Sequence, residues 1–223
     1  MSQDNVFLRY EGDNWFKRNA TSLVGTHECD FVINLIQLYN ITPKKVLEIG
    51  ASNGWRLNEI NRIHSCNCVA VEPSELAIKA GKEKYPHIEF HRAVANELPF
   101  DNDQKFDLVI INFVFHWIGR EQLFKSVSEI DRVLSDGGLL IIGDFMPDSP
   151  NKVNYHHLND KQMWTYKQDY TKLFTCSNIY KLIGHMTGHH ETKKLDPSVD
   201  NKSRMAVSLL KKDYNNYPEQ KLD

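Results

Sequence analysis

Hydrophobic positions along this chain fall into two recurring patterns. Short, almost wholly apolar segments occupy Val46–Ile49, Cys68–Val71, Ile88–Phe90, Phe106–Ile111 and Leu139–Ile142. Apolar runs without alternation suit strands covered on both faces, which predicts a parallel sheet. The stretches between them carry apolar residues at helical spacing. From Glu121 to Leu134 the positions Leu123, Phe124, Val127, Ile130, Val133 and Leu134 form one stripe, ended by Gly137–Gly138. A second helix is expected over 74–84, capped by Ser74 after Pro73 and stopped at Pro86. A third is expected over 26–39, burying Phe31, Val32, Leu35, Ile36 and Leu38. Strands and helices in alternation imply right-handed crossovers and a doubly wound α/β sheet.

Beyond Asp144 the pattern changes. Residues 146–178 hold turn chemistry at Pro147 and Pro150 and many aromatics, but no clear strand. Ile179–Ile183 and Met205–Leu210 read as two final strands joined by a polar segment. The organisation expected is an N-terminal helical arm or lid over 1–40, one domain over 41–211 with 146–178 as a variable insertion, and a frayed polar tail over 212–223. The arm holds Tyr10, Trp15, Phe16 and Arg18, an aromatic content that suits packing onto something.

Composition narrows the class. The 223 residues are 41% hydrophobic and 25% charged, an ordinary globular mix. A formal net charge of −2 supplies no general pull toward phosphate backbones or anionic lipid, so neither nucleic acid nor a membrane is an expected partner. No apolar run approaches the roughly 20 residues that span a bilayer. The first residues lack the basic and apolar regions of a secretory signal, which points to the cytoplasm. Cys29, Cys66, Cys68 and Cys176 do not have the spacing of a zinc knuckle or a redox Cys-x-x-Cys, and are read as reduced thiols.

Candidate chemistry concentrates in Val46-Leu-Glu-Ile-Gly-Ala-Ser-Asn-Gly54. A buried strand ends at Ile49, a glycine-bearing turn follows, and a helix begins near Trp55. A ligand can lie there against bare backbone beside a helix N-terminus. A plain structural turn has the same spacing. Glu72 closes the second strand, where a carboxylate can accept hydrogen bonds from both hydroxyls of a ribose, each worth roughly 1.5–3 kcal/mol when charge-assisted. The other reading of Glu72 is a solvated strand end. A dinucleotide loop wants Gly-x-Gly-x-x-Gly, whereas here Ser52 and Trp55 occupy two of the glycine positions. Glu48 would repel a pyrophosphate but suits an ammonium-bearing cofactor such as S-adenosylmethionine.

The ordered set Val46-Leu-Glu-Ile-Gly50, Val71-Glu-Pro-Ser74, Glu97-Leu-Pro-Phe100, Phe106-Asp-Leu-Val-Ile110 and Arg132-Val-Leu-Ser-Asp-Gly-Gly138 resembles the class I S-adenosylmethionine-dependent methyltransferases, nearest their small-molecule "type 11" branch. The resemblance covers about residues 44–145. It implies a Rossmann-like, seven-stranded, mostly parallel sheet with helices on both faces and a C-terminal antiparallel strand pair. It also implies that Gly50, Ala51, Ser52, Asn53 and Gly54 line the methionine part of the cofactor, with Glu48 facing its ammonium. Glu72 would hold the ribose, and Pro73 and Ser74 would wall the adenine. Val94, Ala95 and Asn96 would clamp the adenine edge, and Asn112 and Phe113 would lie near the sulfonium. Some relatives carry an N-terminal Gly-Asp-x-Trp-Phe-x-Arg-Asn, here Gly12–Asn19. Two departures stand out. Ser52 replaces a glycine, acceptable if its backbone angles are ordinary, and Val94 replaces an acid that accepts from the adenine amino group.

Methyl transfer to a hydroxyl needs a base, whereas an amine or carboxylate needs little beyond alignment. His116, shortly after the fourth strand, is the best-placed candidate base, and Asp144, ending the fifth, is a second candidate at the same edge. A helix-start histidine bonded to backbone and a turn-capping aspartate are the alternatives. Tyr10, Trp15, Arg18, Trp117, His156 and Tyr166 are candidate substrate contacts, with dimer packing an equal reading for the insertion; a monomer and a homodimer both fit. His185, His189 and His190 lack a carboxylate cluster, and no metal is expected. The acceptor expected is a small polar metabolite, with a saccharide or sugar-nucleotide hydroxyl suggested by the aromatics. The rivals are an inactive scaffold of the same fold and a nicotinamide-dependent reductase.

Overall fold

The computed structural model describes residues 2–23, 30–158, 163–196, 198–217, 219 and 220. An N-terminal arm runs through α1 (Gln3–Val6), a π-helical turn (Phe7–Glu11) and α2 (Gly12–Asn19). There follow α3 (Phe31–Leu38), β1 (Lys45–Ile49), α4 (Trp55–His64), β2 (Asn67–Glu72), α5 (Glu75–Lys84), β3 (Glu89–Arg92) and β4 (Phe106–Asn112). A 3-10 turn (Phe115–Trp117) leads to α6 (Leu123–Val133), β5 (Leu134–Phe145), β6 (Asn151–Asn154), β7 (Trp164–Lys167), α7 (Lys172–Thr175), β8 (Tyr180–His189) and β9 (Arg204–Lys212).

Seven strands make one sheet in the order β3-β2-β1-β4-β5-β9-β8, parallel except for β9, which pairs antiparallel with both neighbours. The expected Rossmann-like architecture is therefore the observed one. Strand order reverses between β1 and β4, and the crevice outside the carboxyl ends of these strands is where doubly wound folds bind ligands.

The apolar runs form strands here because both sheet faces are covered. On β4, Val109 and Ile111 join one core with Phe115, Ile130, Val133 and Phe174. The alternate residues Leu108 and Ile110 join the other, with Leu35, Ile36, Leu57 and Ile60. A run that is apolar at every position satisfies two cores at once.

Three expectations need correction. The helix expected over 26–39 starts at Phe31, because the Asp30 side chain caps it by accepting from the Ile33 N–H at 3.0 Å; residues 26–29 lie outside the described residues. The insertion read as lacking strands contains the β6–β7 hairpin. That hairpin folds against the arm: Val6, Tyr155 and Met163 form a small core with Phe7, Tyr10 and Trp117 around it. The Gln3 side chain fixes the pairing, donating to the Trp117 and Trp164 carbonyls and accepting from the Trp164 N–H at 2.8 Å. The tail expected to fray after Lys211 is tied down as far as Tyr217. Lys212 is 2% exposed and ion-paired with Asp131, and the Tyr217 hydroxyl donates to the Ser177 carbonyl.

Candidate active site

A cavity of about 640 Å³ opens at the carboxyl edge of the sheet, in the crevice between β1 and β4. Its β1–β2 side is made largely of backbone. Gly50 leaves β1 with φ +74°, and a Cβ there would stand 2.3 Å from Val114 Cγ2, so glycine is required twice over. The Gly50 and Ala51 N–H groups donate to the Val71 carbonyl at 2.8 and 3.2 Å, stitching the turn onto β2. Ser52 has φ +51°, so the condition of ordinary angles is not met: a serine sits at a positive φ that glycine adopts freely.

Glu72 joins this turn to the next. Its carboxylate accepts from the Ser52 N–H at 2.8 Å and the Ser74 N–H at 2.9 Å, while only 7% of the residue is exposed. It is no solvated strand end. Burial pushes its carboxyl up to about 7, against the pull of the two amides.

Glu48 sits deeper than expected. It is 1% exposed, lies beneath α4 and is ion-paired with Arg56, so it is not among the cavity-lining residues. Burial raises its carboxyl to about 7 even with Arg56 beside it. What reaches the cavity is Asp30 and Arg56, joined by an ion pair at 2.9 Å. Burial would raise Asp30, but Arg56 outweighs it and holds the carboxyl below its ordinary value. Sequence reading missed both residues. Asp30 was absorbed into an overlong helix, and Arg56 was passed over although it directly follows the glycine turn.

Pro73, Val94, Ala95, Asn112 and Phe113 line the cavity, as do Gly50, Ala51, Ser52 and Glu72. Asn53, Gly54, Ser74 and Asn96 are not among the lining residues and contact other parts of the chain. Asn53 accepts from the Trp55 N–H, Gly54 packs against Phe90, and Asn96 donates to Gln122. Ser74 caps α5, its hydroxyl accepting from the Ala77 N–H and donating to Asp13. Asp13 also accepts from the Leu76 N–H at 3.1 Å, so the arm's Gly12–Asn19 motif clasps the segment just after Glu72. Among the described residues, two buried polar atoms of cavity-lining residues, Ser52 Oγ and Asn112 Oδ1, have no hydrogen-bond partner.

The β4–β5 side is aromatic. Phe7, Trp15, Phe113, Trp117 and Phe145 line it together with His116. His116 is 2% exposed and its Nδ1 stands 2.9 Å from Asp144 Oδ1, while its own N–H donates to Asp144 Oδ2 at 3.2 Å. Two positions singled out separately in the sequence thus form one dyad. Asp144 stands behind His116 rather than at the cavity surface.

Four expected substrate contacts lie elsewhere. Arg18 pairs with the buried Glu11 and donates to the Tyr155 hydroxyl at 3.0 Å, fastening the arm to the insertion. Tyr10 packs against the arm–hairpin core, Tyr166 lies under the Arg120 guanidinium, and His156 is exposed. His185 lies 2.8 Å from the Ser208 hydroxyl, and no group of three potential metal ligands occurs among the described residues.

Residues 47–142 match the family model described as "Methyltransferase domain". Among similar chains, the Campylobacter jejuni ubiquinone/menaquinone biosynthesis C-methyltransferase UbiE is 34% identical over 117 residues, half of this chain and 48% of that one. The Chlorobaculum parvum demethylmenaquinone methyltransferase is 30% identical over 107 residues, 48% of this chain and 43% of that one. The chain thus spans about half the length of the curated relatives it matches. In fold, it is similar to Burkholderia thailandensis 1,6-didemethyltoxoflavin-N1-methyltransferase, crystallised with 1,6-didemethyltoxoflavin and S-adenosylhomocysteine. That likeness has a TM-score of 0.73 at 14% identity, over 94% of this chain and 88% of that one.

Proposed function

We propose, for a chain whose residues 47–142 form a class I S-adenosylmethionine-dependent methyltransferase domain, that it methylates a small-molecule acceptor. The observation that carries this is the cavity itself, with the Glu72 carboxylate held by the amides of two turns on its β1–β2 side and His116–Asp144 at its β4–β5 side. The residues present fit the cofactor. Glu72 matches a ribose diol, and Asp30 and Arg56 match an amino-acid ammonium and carboxylate.

S-adenosylmethionine supplies a methyl carbon activated by its sulfonium, so transfer is an in-line displacement that leaves S-adenosylhomocysteine. The chain's task is to align, to exclude water and to move one proton. Aromatic walls from Phe7, Trp15, Phe113, Trp117 and Phe145 keep water from the reacting atoms. Asp144 fixes the His116 ring through Nδ1, which leaves Nε2 to take the proton from an attacking hydroxyl or amine.

The acceptor reading shifts with the residues that framed it. A saccharide was suggested by aromatics of the insertion, yet Tyr155 and Tyr166 are not among the cavity-lining residues. Calorimetric titration with S-adenosylhomocysteine is the direct test. Binding in the micromolar range supports the enzyme; no heat and no thermal shift at millimolar ligand favours an inactive scaffold of the same fold.

A further inference from the structure

Three carboxylates line the cavity, and each is already engaged. Asp4 accepts from the Gly119 N–H, Glu72 from the Ser52 and Ser74 N–H groups, and Asp30 is held by Arg56. The cations differ. Arg56 is bound on both sides by Asp30 and Glu48, but Lys193, at the rim on the segment between β8 and β9, is not. Among the described residues no carboxylate stands within ion-pair distance of its ammonium, which instead lies 4.8 Å from the centroid of Phe113. An unpaired cation beside an aromatic face is a ready anchor for an anion that also offers a ring.

The rings around it form a connected cage. Phe113 meets Phe145 edge-on at 5.3 Å and His116 at 5.8 Å. Phe145 meets His190 at 5.2 Å, and His116 meets Trp117 at 4.2 Å. Trp117 in turn stacks on Phe7 of the arm at 5.0 Å. Phe113, Phe145 and Trp117 are only partly buried, so ring surface remains for a ligand to cover. Such edge-to-face walls favour a flat π-system over a puckered, hydroxyl-studded ring.

We propose, resting on the methyltransferase reading above, that the acceptor is an aromatic or heteroaromatic anion. Its ring is clamped in the Phe113–Phe145–Trp117 cage, its negative group meets Lys193, and an OH or NH on the ring faces His116. The acceptor loses that proton to His116 as its oxygen or nitrogen bonds to the methyl carbon and the carbon–sulfur bond breaks, so charge and atoms balance.

The test uses the full chain saturated with S-adenosylhomocysteine and three probe types: hydroxybenzoates, the matching neutral hydroxybenzamides, and methyl glucoside. The expected result is that at least one hydroxybenzoate binds tenfold or more tighter than its amide, with no glucoside binding at 5 mM. Lys193→Met should erase that preference and leave S-adenosylhomocysteine affinity within twofold. Equal binding of acid and amide, preference for the glucoside, or no probe binding at 5 mM overturns the proposal. So does a tenfold loss of S-adenosylhomocysteine affinity in Lys193→Met, which would assign this lysine to the cofactor. Failure of the wild-type chain to bind S-adenosylhomocysteine at all sinks the parent reading as well; binding it without the acid preference sinks only this one.

Discussion

The two sides of the cavity are built by different means. On the β1–β2 side, short consecutive segments supply main-chain amides, one glycine turn and a buried carboxylate, with the amides of residues 50, 51 and 52 all committed to β2. On the β4–β5 side the comparable carboxylate, Asp144, also accepts from two amides, those of His116 and Phe145, but it stands behind the cavity wall. There the wall consists of side chains from the arm, the turn after β4, the end of β5 and the β8–β9 segment. Backbone geometry tolerates little variation and suits a ligand that never changes. A wall of rings drawn from distant segments can be rebuilt residue by residue, which suits the partner that differs between enzymes.

The sharpest way to separate the two sides is to disable each in turn. His116→Ala should lower kcat by about 10²–10⁴-fold with an OH acceptor while leaving S-adenosylhomocysteine affinity unchanged, because the imidazole serves the proton and not the nucleoside. Asp144→Asn should give a smaller loss of the same kind. Full turnover in His116→Ala would return the histidine to a purely structural role.

Glu72→Ala should produce the opposite pattern, weakening S-adenosylhomocysteine by more than tenfold. A pH series with adenosine sharpens it. With the Glu72 carboxyl near 7 in the free protein, ribose hydroxyls that donate to the ionised form bind better as pH rises. Adenosine affinity should therefore climb severalfold from pH 5.5 to 7.5, and the climb should vanish in Glu72→Gln. For the ligand-free protein the sign reverses. A carboxyl raised above its unfolded value lends stability at low pH that is lost as pH rises toward 7, and the same holds for Glu48. A flat adenosine profile in the wild type would detach Glu72 from the ribose.

The smallest effect concerns strain within the backbone-built side. Ser52→Gly relieves a left-handed serine and should raise unfolding free energy by about 1 kcal/mol in chemical denaturation, with the aromatic side untouched. A loss of stability would mean that the serine is held there by interactions worth more than the strain.

How much of this was legible follows the same division. The strands Val46–Ile49 and Phe106–Ile111, the Gly50 turn and Glu72 could be read directly, since two-sided burial and a strand-end turn leave local signatures. The β6–β7 hairpin was not, because Asn151–Asn154 is exposed along its whole length and shows no alternation. Asp30 and Arg56 lie 26 residues apart, and nothing local announces that a helix cap and a helix-start arginine will share a charge pair. Arg18 reads as a substrate contact in the sequence because its partner Tyr155 lies 137 residues away.

The amino-acid order alone settled the parallel sheet and the position of the turn after Ile49, for these depend on hydrophobic runs and turn chemistry between near neighbours. The fold decided that His116 and Asp144 meet, that Glu48 is spent on Arg56, and that among the described residues no carboxylate comes within ion-pair distance of Lys193. Those are outcomes of proximity between segments far apart in the chain, and electrostatic pairing is determined by distance in space, which no window of sequence contains.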